Sequence, residues 1–110
     1  MEVRSAMGES NKLINISVSF IHLDPSDPLK TYASDKIKNT VQKFTHHDTE
    51  IHVVLKVEKN RQIAETSFSA DGSTFHVKEE SDDLYLSIDK MVDTLAHQLR
   101  KHKEKLTSHH

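Results

Sequence analysis

Alternating apolar and polar residues mark four segments of the chain: LINISVSFIHL, IHVVLKVEK, QIAETSFSA and TFHVKEE. A period of two places every second side chain on the same side of an extended backbone, as in a strand with one buried face. The pattern therefore predicts four strands. The residues predicted to face the core of the first three strands are Ile14, Ile16, Val18 and Phe20; Ile51, Val53, Leu55 and Val57; and Ala64, Thr66, Phe68 and Ala70.

Two other segments repeat their apolar residues every three or four positions, which is the spacing of a helix with one buried stripe. The first follows DPSDPLK, where we predict Asp27 as the N-cap and Pro28 as the first helical residue. The second starts near SDDLY, where Ser81 is the predicted cap. The predicted stripes are Leu29, Ala33, Ile37, Val41 and Phe44, and Leu84, Ile88, Met91, Val92, Leu95, Leu99 and Leu106.

The resulting order is β-α-β-β-β-α. The last three strands follow one another through short connections, one of which contains the turn signal DGS, so we predict that they form an antiparallel meander. Two amphipathic helices can cover one face of a four-stranded sheet, which predicts an α+β, two-layer sandwich. We assign residues 1–12 to an N-terminal arm, 13–106 to the α+β domain and 107–110 to a C-terminal tail.

The composition fits this picture of one small domain. A chain of 110 residues is long enough for a single core, and with no cysteine it can form no disulfide. No apolar run approaches the roughly 20 residues that span a bilayer. We therefore expect a cytoplasmic protein without a membrane segment.

The formal net charge of −2 conceals an uneven distribution. Residues 100–105 contain four bases and one acid, and residues 29–44 contain the same numbers, so each run carries +3 and the remainder −8. Such runs are common on solvated helix faces, and bases also suit a helix C-terminus. The alternative is a local positive field that attracts a polyanion.

Nine histidines raise the question of a metal site. His97 and His102 are five apart on the last helix, whereas a helical zinc pair needs ligands four apart on one face. Asp82 and Asp83 at a helix start are typical of capping rather than of acid–base catalysis. The strands and turns carry no phosphate-binding glycine loop and no nucleophile elbow. We expect no metal, no cofactor and no enzymatic activity.

Nucleic-acid binding has a firmer basis, because phosphate contacts need an array of lysines and arginines. Tyr32 and Tyr85 are the only candidate exposed aromatic residues on the helices, which favours contact with the nucleic-acid backbone over base stacking. The bases that two adjacent helices would bring to one surface are Lys30, Lys36, Lys38, Lys43, Lys90, Arg100, Lys101, Lys103 and Lys105.

Three segments resemble a known family: INISVSF as the first strand, VVLKVEK as the second, and above all DDLYLSIDKMVDTLAHQLRKHKEKL as the last helix. In residues 13–106 the chain is similar to the ribosome hibernation promoting factor family, also called the protein Y or sigma-54 modulation family, in its short form. Asn39 stands where the family pattern has a further lysine, and we assign that position's role to Lys38.

The resemblance implies a factor of stress or stationary phase that binds small-subunit rRNA. Such a factor would block the mRNA and tRNA channel, inhibit translation and favour inactive ribosome dimers together with a separate dimerising factor. We expect it to be monomeric in solution. The residues that the resemblance and the basic stripe assign to phosphate contact are Lys30, Lys36, Lys38, Lys90, Arg100, Lys101, Lys103 and Lys105.

Other functions remain open on the sequence. A protein-interaction module that modulates a sigma factor or another regulator would bind without RNA, through the exposed face of the sheet. A double-stranded RNA-binding domain also has helices on one face of a sheet, but it usually carries its basic residues at a helix start. An enzyme is the least supported class.

Overall fold

The computed structural model describes residues 13–70 and 72–108, with side chains as far as Glu104. The predicted α+β class and element order are confirmed. The arm at residues 1–12 and residues 109–110 lie outside the described residues, and the last helix continues two positions past residue 106. The elements are β1 (Ile14–Ile21), α1 (Asp27–Val41), β2 (Thr49–Glu58), β3 (Arg61–Ala70), β4 (Ser73–Ser81) and α2 (Leu84–Ser108).

The four strands form one sheet in the order β1-β2-β3-β4. β2, β3 and β4 are antiparallel neighbours, which confirms the predicted meander. β1 runs parallel to β2, because the chain between them crosses over through α1. In the turn between β3 and β4, Gly72 has a φ of 80°, a left-handed conformation that glycine adopts without a steric penalty.

The core lies between the sheet and the two helices, and it contains the predicted stripes except Leu106, whose side chain lies outside the described residues. Ala33, Ile37 and Val41 of α1 are fully buried. The inward residues of β2 and β3 are buried beneath the helices, except that Val57 at the end of β2 is half-buried. The inward residues of β1, which is one of the two edge strands, are only half-buried. The buried stripe of α2 consists of Leu84, Ile88, Met91, Val92, Leu95 and Leu99.

The opposite face of the sheet carries no helix among the described residues. Ile63 lies on this open face, since it alternates with the inward-facing Ala64, yet it is only 3% exposed. Its cross-strand partners are Lys56 on β2 and Glu80 on β4, whose long side chains can cover an apolar neighbour.

Both predicted caps were wrong by one or two positions. Ser26, not Asp27, is the N-cap of α1: its backbone is extended and its Oγ accepts a hydrogen bond from the Leu29 N–H at 3.3 Å. Asp27 and Pro28 are therefore the first two helical residues. At α2, Asp83 immediately precedes the helix and its carboxylate accepts from the Tyr85 N–H at 3.4 Å, whereas Ser81 ends β4.

Candidate nucleic-acid interface

The two helices lie side by side and run in the same direction. Near their starts, the rings of Tyr32 and Tyr85 meet edge to face with centroids 4.9 Å apart. Beyond the end of α1, the Phe44 ring lies 6.0 Å from the ammonium group of Lys103 on α2. The C-terminal ends of both helices therefore lie at the same end of the molecule.

That end is rich in basic side chains. We call the exposed residues Lys38, Lys43, Arg100, Lys101 and Lys103 the basic end. The negative partial charge of a helix C-terminus favours a base in the last turn, which applies to Lys38 in α1. Among the exposed residues of α2 from Arg100 to Glu104, only Glu104 carries the opposite charge.

The last turns of α2 are held against the sheet by His102. Its ring packs edge-on against Phe75 with centroids 5.4 Å apart, and its Nδ1 lies 3.5 Å from the Ser73 hydroxyl. Because α2 is anchored there, Arg100 and Lys101 project from a fixed backbone. His97 is exposed whereas His102 is packed, so the two do not converge on one point.

The opposite end of the domain carries more exposed carboxylates than bases, the bases being Lys59 and Arg61 at the β2–β3 turn and Lys30 in the first turns of α1. The topology places the helix N-termini and the ends of β1, β2 and β4 together, because β1 and β2 are parallel and β4 leads directly into α2. The charge separation therefore runs along the helix axes rather than across the helical surface. The exposed carboxylates at this end are Asp24, Asp27, Glu58, Asp82 and Asp83.

Lys36 belongs to a cluster between the helices. Its ammonium group lies 3.0 Å from Asp89 Oδ1 and 5.1 Å from the centroid of the Tyr32 ring. The Tyr32 hydroxyl donates to the same oxygen at 2.6 Å. This hydrogen bond lowers the pKa of the Asp89 carboxyl and raises the pKa of Tyr32, while the contact with Asp89 raises the pKa of Lys36. These directions favour an ionised Asp89, a protonated Lys36 and a neutral Tyr32 at neutral pH.

The remaining predicted phosphate-binding residues are dispersed. Lys30 is exposed in the first turns of α1, far from the basic end. Lys90 does not point towards α1, because its ammonium group donates to the Glu80 carbonyl at 3.0 Å, at the edge of the sheet. Lys38 belongs to the basic end by its position in the last turn of α1, but it lies on the side of α1 opposite to Lys36 and thus away from α2. The side chain of Lys105 lies outside the described residues.

Sequence reasoning missed the role of Asp89 and the pairing of the two tyrosines. A signal was present, because Tyr32 and Lys36 are four residues apart on α1, and Tyr85 and Asp89 are four apart on α2. Residues at this spacing are neighbours on a helix surface. The spacing does not predict that the two helices contact each other at these residues.

The open face of the sheet carries paired charges. Lys56 lies 3.8 Å from Glu58, Arg61 Nε lies 2.8 Å from Glu80, and His76 is hydrogen-bonded to Glu65. A face whose charges neutralise one another presents little net field to a partner. It is a typical solvated surface and does not favour the protein-interaction hypothesis.

The described residues contain neither a cluster of metal-ligating side chains nor a helix suited to crossing a membrane. Nowhere in that part of the chain do three or more histidine, aspartate or glutamate side chains lie close enough to share a metal ion. None of its helices combines the length and the apolar character needed to cross a membrane.

The chain is similar in sequence to members of one protein family. A sequence model of the family described as "Sigma 54 modulation protein / S30EA ribosomal protein" matches residues 16–107. A "Ribosome hibernation promoting factor" of Klebsiella oxytoca is 33% identical over 96 residues, which is 87% of this chain and 98% of the relative. A protein of the same name from Pseudomonas putida is 33% identical over 95 residues, covering 86% of this chain and 92% of the relative.

Solved structures resemble the fold as well. A ribosomal subunit interface protein from Coxiella burnetii superimposes with a TM-score of 0.73 at 25% identity, covering 81% of this chain and 97% of that one. The N-terminal domain of Protein Y from Thermus thermophilus gives a TM-score of 0.72 at 27% identity, covering 80% and 98%. The architecture is therefore shared with both solved chains along almost the whole length of each.

Proposed function

Since the chain belongs to the sigma 54 modulation protein / S30EA ribosomal protein family, we propose that it is a ribosome hibernation factor that binds the rRNA of the small ribosomal subunit. Binding takes place through basic residues of α1 and α2. The protein acts as a binding factor, not as an enzyme, and works in the cytoplasm, where ribosomes are. It is monomeric in solution.

The observation that carries this proposal is the basic end. Two parallel helices bring their C-termini together: Lys103 of α2 reaches Phe44, which follows Lys43 just after α1, and Arg100 and Lys101 are exposed on the same turns of α2. Several positive charges at one end of the molecule can neutralise several phosphates and release their counterions, which drives binding to a nucleic-acid backbone. The acidic opposite end orients the protein, because a polyanion repels it.

The predicted phosphate-binding residues contribute to binding to different extents. Arg100, Lys101, Lys103 and Lys38 make the main phosphate contacts, with Lys105 continuing the α2 stripe. Lys36 contributes from the surface between the helices. Lys30 and Lys90 lie nearer the acidic end, so we expect them to contribute less.

The consequence of binding follows from where the factor is bound. Seated in the channel of the small subunit, it occupies the path of mRNA and tRNA and inhibits translation. Idle ribosomes are thereby preserved under stress or in stationary phase, and inactive ribosome dimers are favoured with the help of a separate dimerising factor. The names of the relatives, which promote ribosome hibernation, support this reading.

The test is co-sedimentation of the purified protein with small ribosomal subunits over a series of salt concentrations. The variant Arg100→Gln/Lys101→Gln/Lys103→Gln removes three charges from the basic end. The matched control Lys56→Gln/Lys59→Gln/Lys78→Gln removes three charges from the open face and the β2–β3 turn. Both variants have the same net charge, so a difference between them reflects position alone.

We expect wild type and control to bind with the same steep salt dependence. In the basic-end variant, the slope of log K against log salt should be flatter by roughly three, about one per lost phosphate contact. Equal loss in both variants would mean that only total charge matters. Equal binding by all three proteins would remove the basic end as the contact.

A further inference from the structure

Three exposed histidines lie beside the basic end and have no part in the contacts described so far. His46 and His47 follow Phe44 in the loop after α1, and His97 lies one turn before Arg100 on α2. Within the described residues, none of the three imidazoles makes a hydrogen bond or an ion pair. Histidine is the side chain whose charge ordinarily changes between about pH 5 and 8, so these positions make the charge of this end depend on pH.

The loop that carries His46 and His47 is held on both sides. Thr45 is 2% exposed, and its N–H and hydroxyl both donate to the Val41 carbonyl, at 3.1 and 3.3 Å. Thr49 is 6% exposed and donates its hydroxyl to the His47 carbonyl at 2.9 Å. Two buried threonines thus anchor the backbone, and the two histidine side chains between them are exposed from a fixed position.

The permanent charges around this loop balance one another. Lys43 precedes it, and Lys103 approaches from α2 with its ammonium group 6.0 Å from the Phe44 ring. On the other side are Glu50 and Asp48, whose carboxylate accepts the Leu13 N–H at 2.8 Å. The adjoining strand ends, residues 13–16 and 67–70, carry no charged side chain. Protonation of the histidines therefore decides whether this part of the surface is neutral or positive.

His97 belongs to a row of exposed charged residues on the outer side of α2. Asp93 is four residues before it, and Arg100 and Lys101 are three and four residues after it. Residues at these spacings are neighbours on a helix surface. A protonated His97 therefore extends the positive surface of Arg100 and Lys101 by one turn, about 5 Å along the helix axis.

We propose that His46, His47 and His97 contact phosphates of the RNA in their protonated form, so that binding takes up protons and tightens as the pH falls from about 8 to about 6. A phosphate favours the charged form of an imidazole beside it, and each imidazolium that meets a phosphate releases a further counterion. Protons and RNA then raise each other's affinity by the same factor. The inference rests on the proposed function and adds pH-dependent contacts to it.

The sign of the effect follows from which form is bound. Because the complex holds more protons than the free partners, the gain in affinity is complete at low pH. It is lost as the pH rises through the range in which the bound histidines release their protons. Lysine and arginine stay charged throughout, so the basic end itself supplies a contribution that does not change between pH 6 and 8.

The experiment measures co-sedimentation with small ribosomal subunits at pH 6, 7 and 8, each over a series of salt concentrations. The test variant is His46→Gln/His47→Gln/His97→Gln. The matched control is His22→Asn/His52→Gln/His76→Gln, which removes three exposed histidines from the far end and the open face of the sheet. Asparagine is used at position 22 because His22 has a φ of 63°, which asparagine tolerates.

Both variants lose the same number of histidines, and any titration of the rRNA is common to all three proteins. Urea unfolding at each pH verifies that the variants are folded under the conditions of the binding assay. Calorimetric titration in two buffers of different ionisation enthalpy counts the protons that are taken up on binding.

We expect wild type and control to bind on the order of tenfold more tightly at pH 6 than at pH 8, with a salt slope steeper by up to about three. The test variant should tighten much less and take up fewer protons, and its affinity should approach that of wild type as the pH rises. The proposal is overturned if the test variant tightens and takes up protons as wild type does.

An equal loss of pH dependence in the control would show that total histidine content matters and position does not, which also overturns the proposal. The proposed function fails separately, at pH 8, where histidine is ordinarily uncharged. It fails there when wild type does not bind, or when Arg100→Gln/Lys101→Gln/Lys103→Gln keeps the full salt slope. Loss of the histidine contacts alone leaves the binding at pH 8 and its dependence on those three bases in place.

Discussion

Tyr32 donates its phenolic hydrogen to Asp89 Oδ1 at 2.6 Å, and this bond joins two helices across 57 positions of sequence. Lys36 reaches the same oxygen at 3.0 Å from the same helix as Tyr32. One carboxylate oxygen on α2 thus ties two successive turns of α1. The contact therefore joins the N-terminal halves of the two helices.

The first prediction concerns the pH dependence of this contact. Because the folded state lowers the pKa of Asp89, its contribution to stability is present above the unfolded pKa of about 3.9 and is lost as pH falls through the folded value. The raised pKa values of Tyr32 and Lys36 act at the other extreme, where their contribution disappears as pH rises above about 10.

Urea unfolding of wild type and Asp89→Asn between pH 2.5 and 7 isolates the acidic limb, because all other carboxylates are common to both proteins. The stability difference should be constant from pH 5 to 7 and should decrease steadily below about pH 4. A difference that stays constant down to pH 2.5 would show that the carboxylate charge of Asp89 does not stabilise the fold.

The second prediction concerns the start of α1. Ser26→Ala removes the acceptor for the Leu29 N–H and should lower the free energy of unfolding by about 1 kcal/mol. Asp27→Ala removes only a charge near the helix N-terminus and should lower it by a few tenths of a kcal/mol. Denaturant unfolding at pH 7 measures both, and a larger loss in Asp27→Ala would restore Asp27 as the cap.

The confusion between Ser26 and Asp27 illustrates the limit of local sequence reasoning. Both residue types cap helices well, and Pro28 is acceptable at the first or the second helical position. Which of them caps depends on where the chain leaves the extended conformation, here at Ser26 with φ −137°. That point is set by how α1 docks on the sheet, so the pattern located the helix start only to within one residue.

Strand faces and helix stripes were predictable because they depend on period alone. The apolar alternation of β1 and β2 identified their inward residues correctly. Ile63 was not predicted to be buried, because the local pattern does not reveal that Lys56 and Glu80 flank it across the sheet. Its burial depends on the register of β3 with both neighbouring strands, which is set only when the three strands pair.

The candidate site likewise has features that the sequence predicts and features that only the fold reveals. The bases of the last α2 turns were evident as a charge run, and their exposure follows from the helical stripe. The pairing of Lys36 with Asp89, and the turning of Lys90 towards Glu80, are contacts between distant segments. The spacing of residues along the chain does not predict these contacts. From the sequence, Lys36 and Lys90 therefore looked equivalent to the other lysines, although the fold gives each a different partner.

The third prediction tests the core beneath the site. Leu95 is fully buried on α2, so Leu95→Ala should cost about 2–5 kcal/mol through lost burial and the cavity left behind. Leu86→Ala, on the exposed side of the same helix, should change stability by no more than about 0.5 kcal/mol. Thermal and denaturant unfolding compare the two, and similar costs would contradict the placement of α2.

The fourth prediction concerns the turn between β3 and β4. A Cβ added at Gly72 would meet no other atom within 4 Å, so any cost of Gly72→Ala comes from the left-handed backbone alone. We expect a loss of about 1 kcal/mol. Gly72→Asn should lose less, because asparagine tolerates this conformation better than alanine. Equal losses in denaturant unfolding would indicate that backbone strain is not the cause.

The last prediction follows from the separation of charge along the helix axes. Lys30 and Lys38 are both exposed and lie eight residues, or about 12 Å, apart on α1. Lys38→Gln should flatten the salt slope of small-subunit binding by roughly one and weaken binding several-fold, because it removes a charge from the basic end. Lys30→Gln removes the same charge nearer the acidic end and should have a distinctly smaller effect.

Co-sedimentation of both variants with small subunits under identical salt conditions measures the ratio of their two affinities. If Lys30→Gln weakened binding as much as Lys38→Gln, the RNA would have to run along the whole length of α1, and the basic end would not be the centre of the contact.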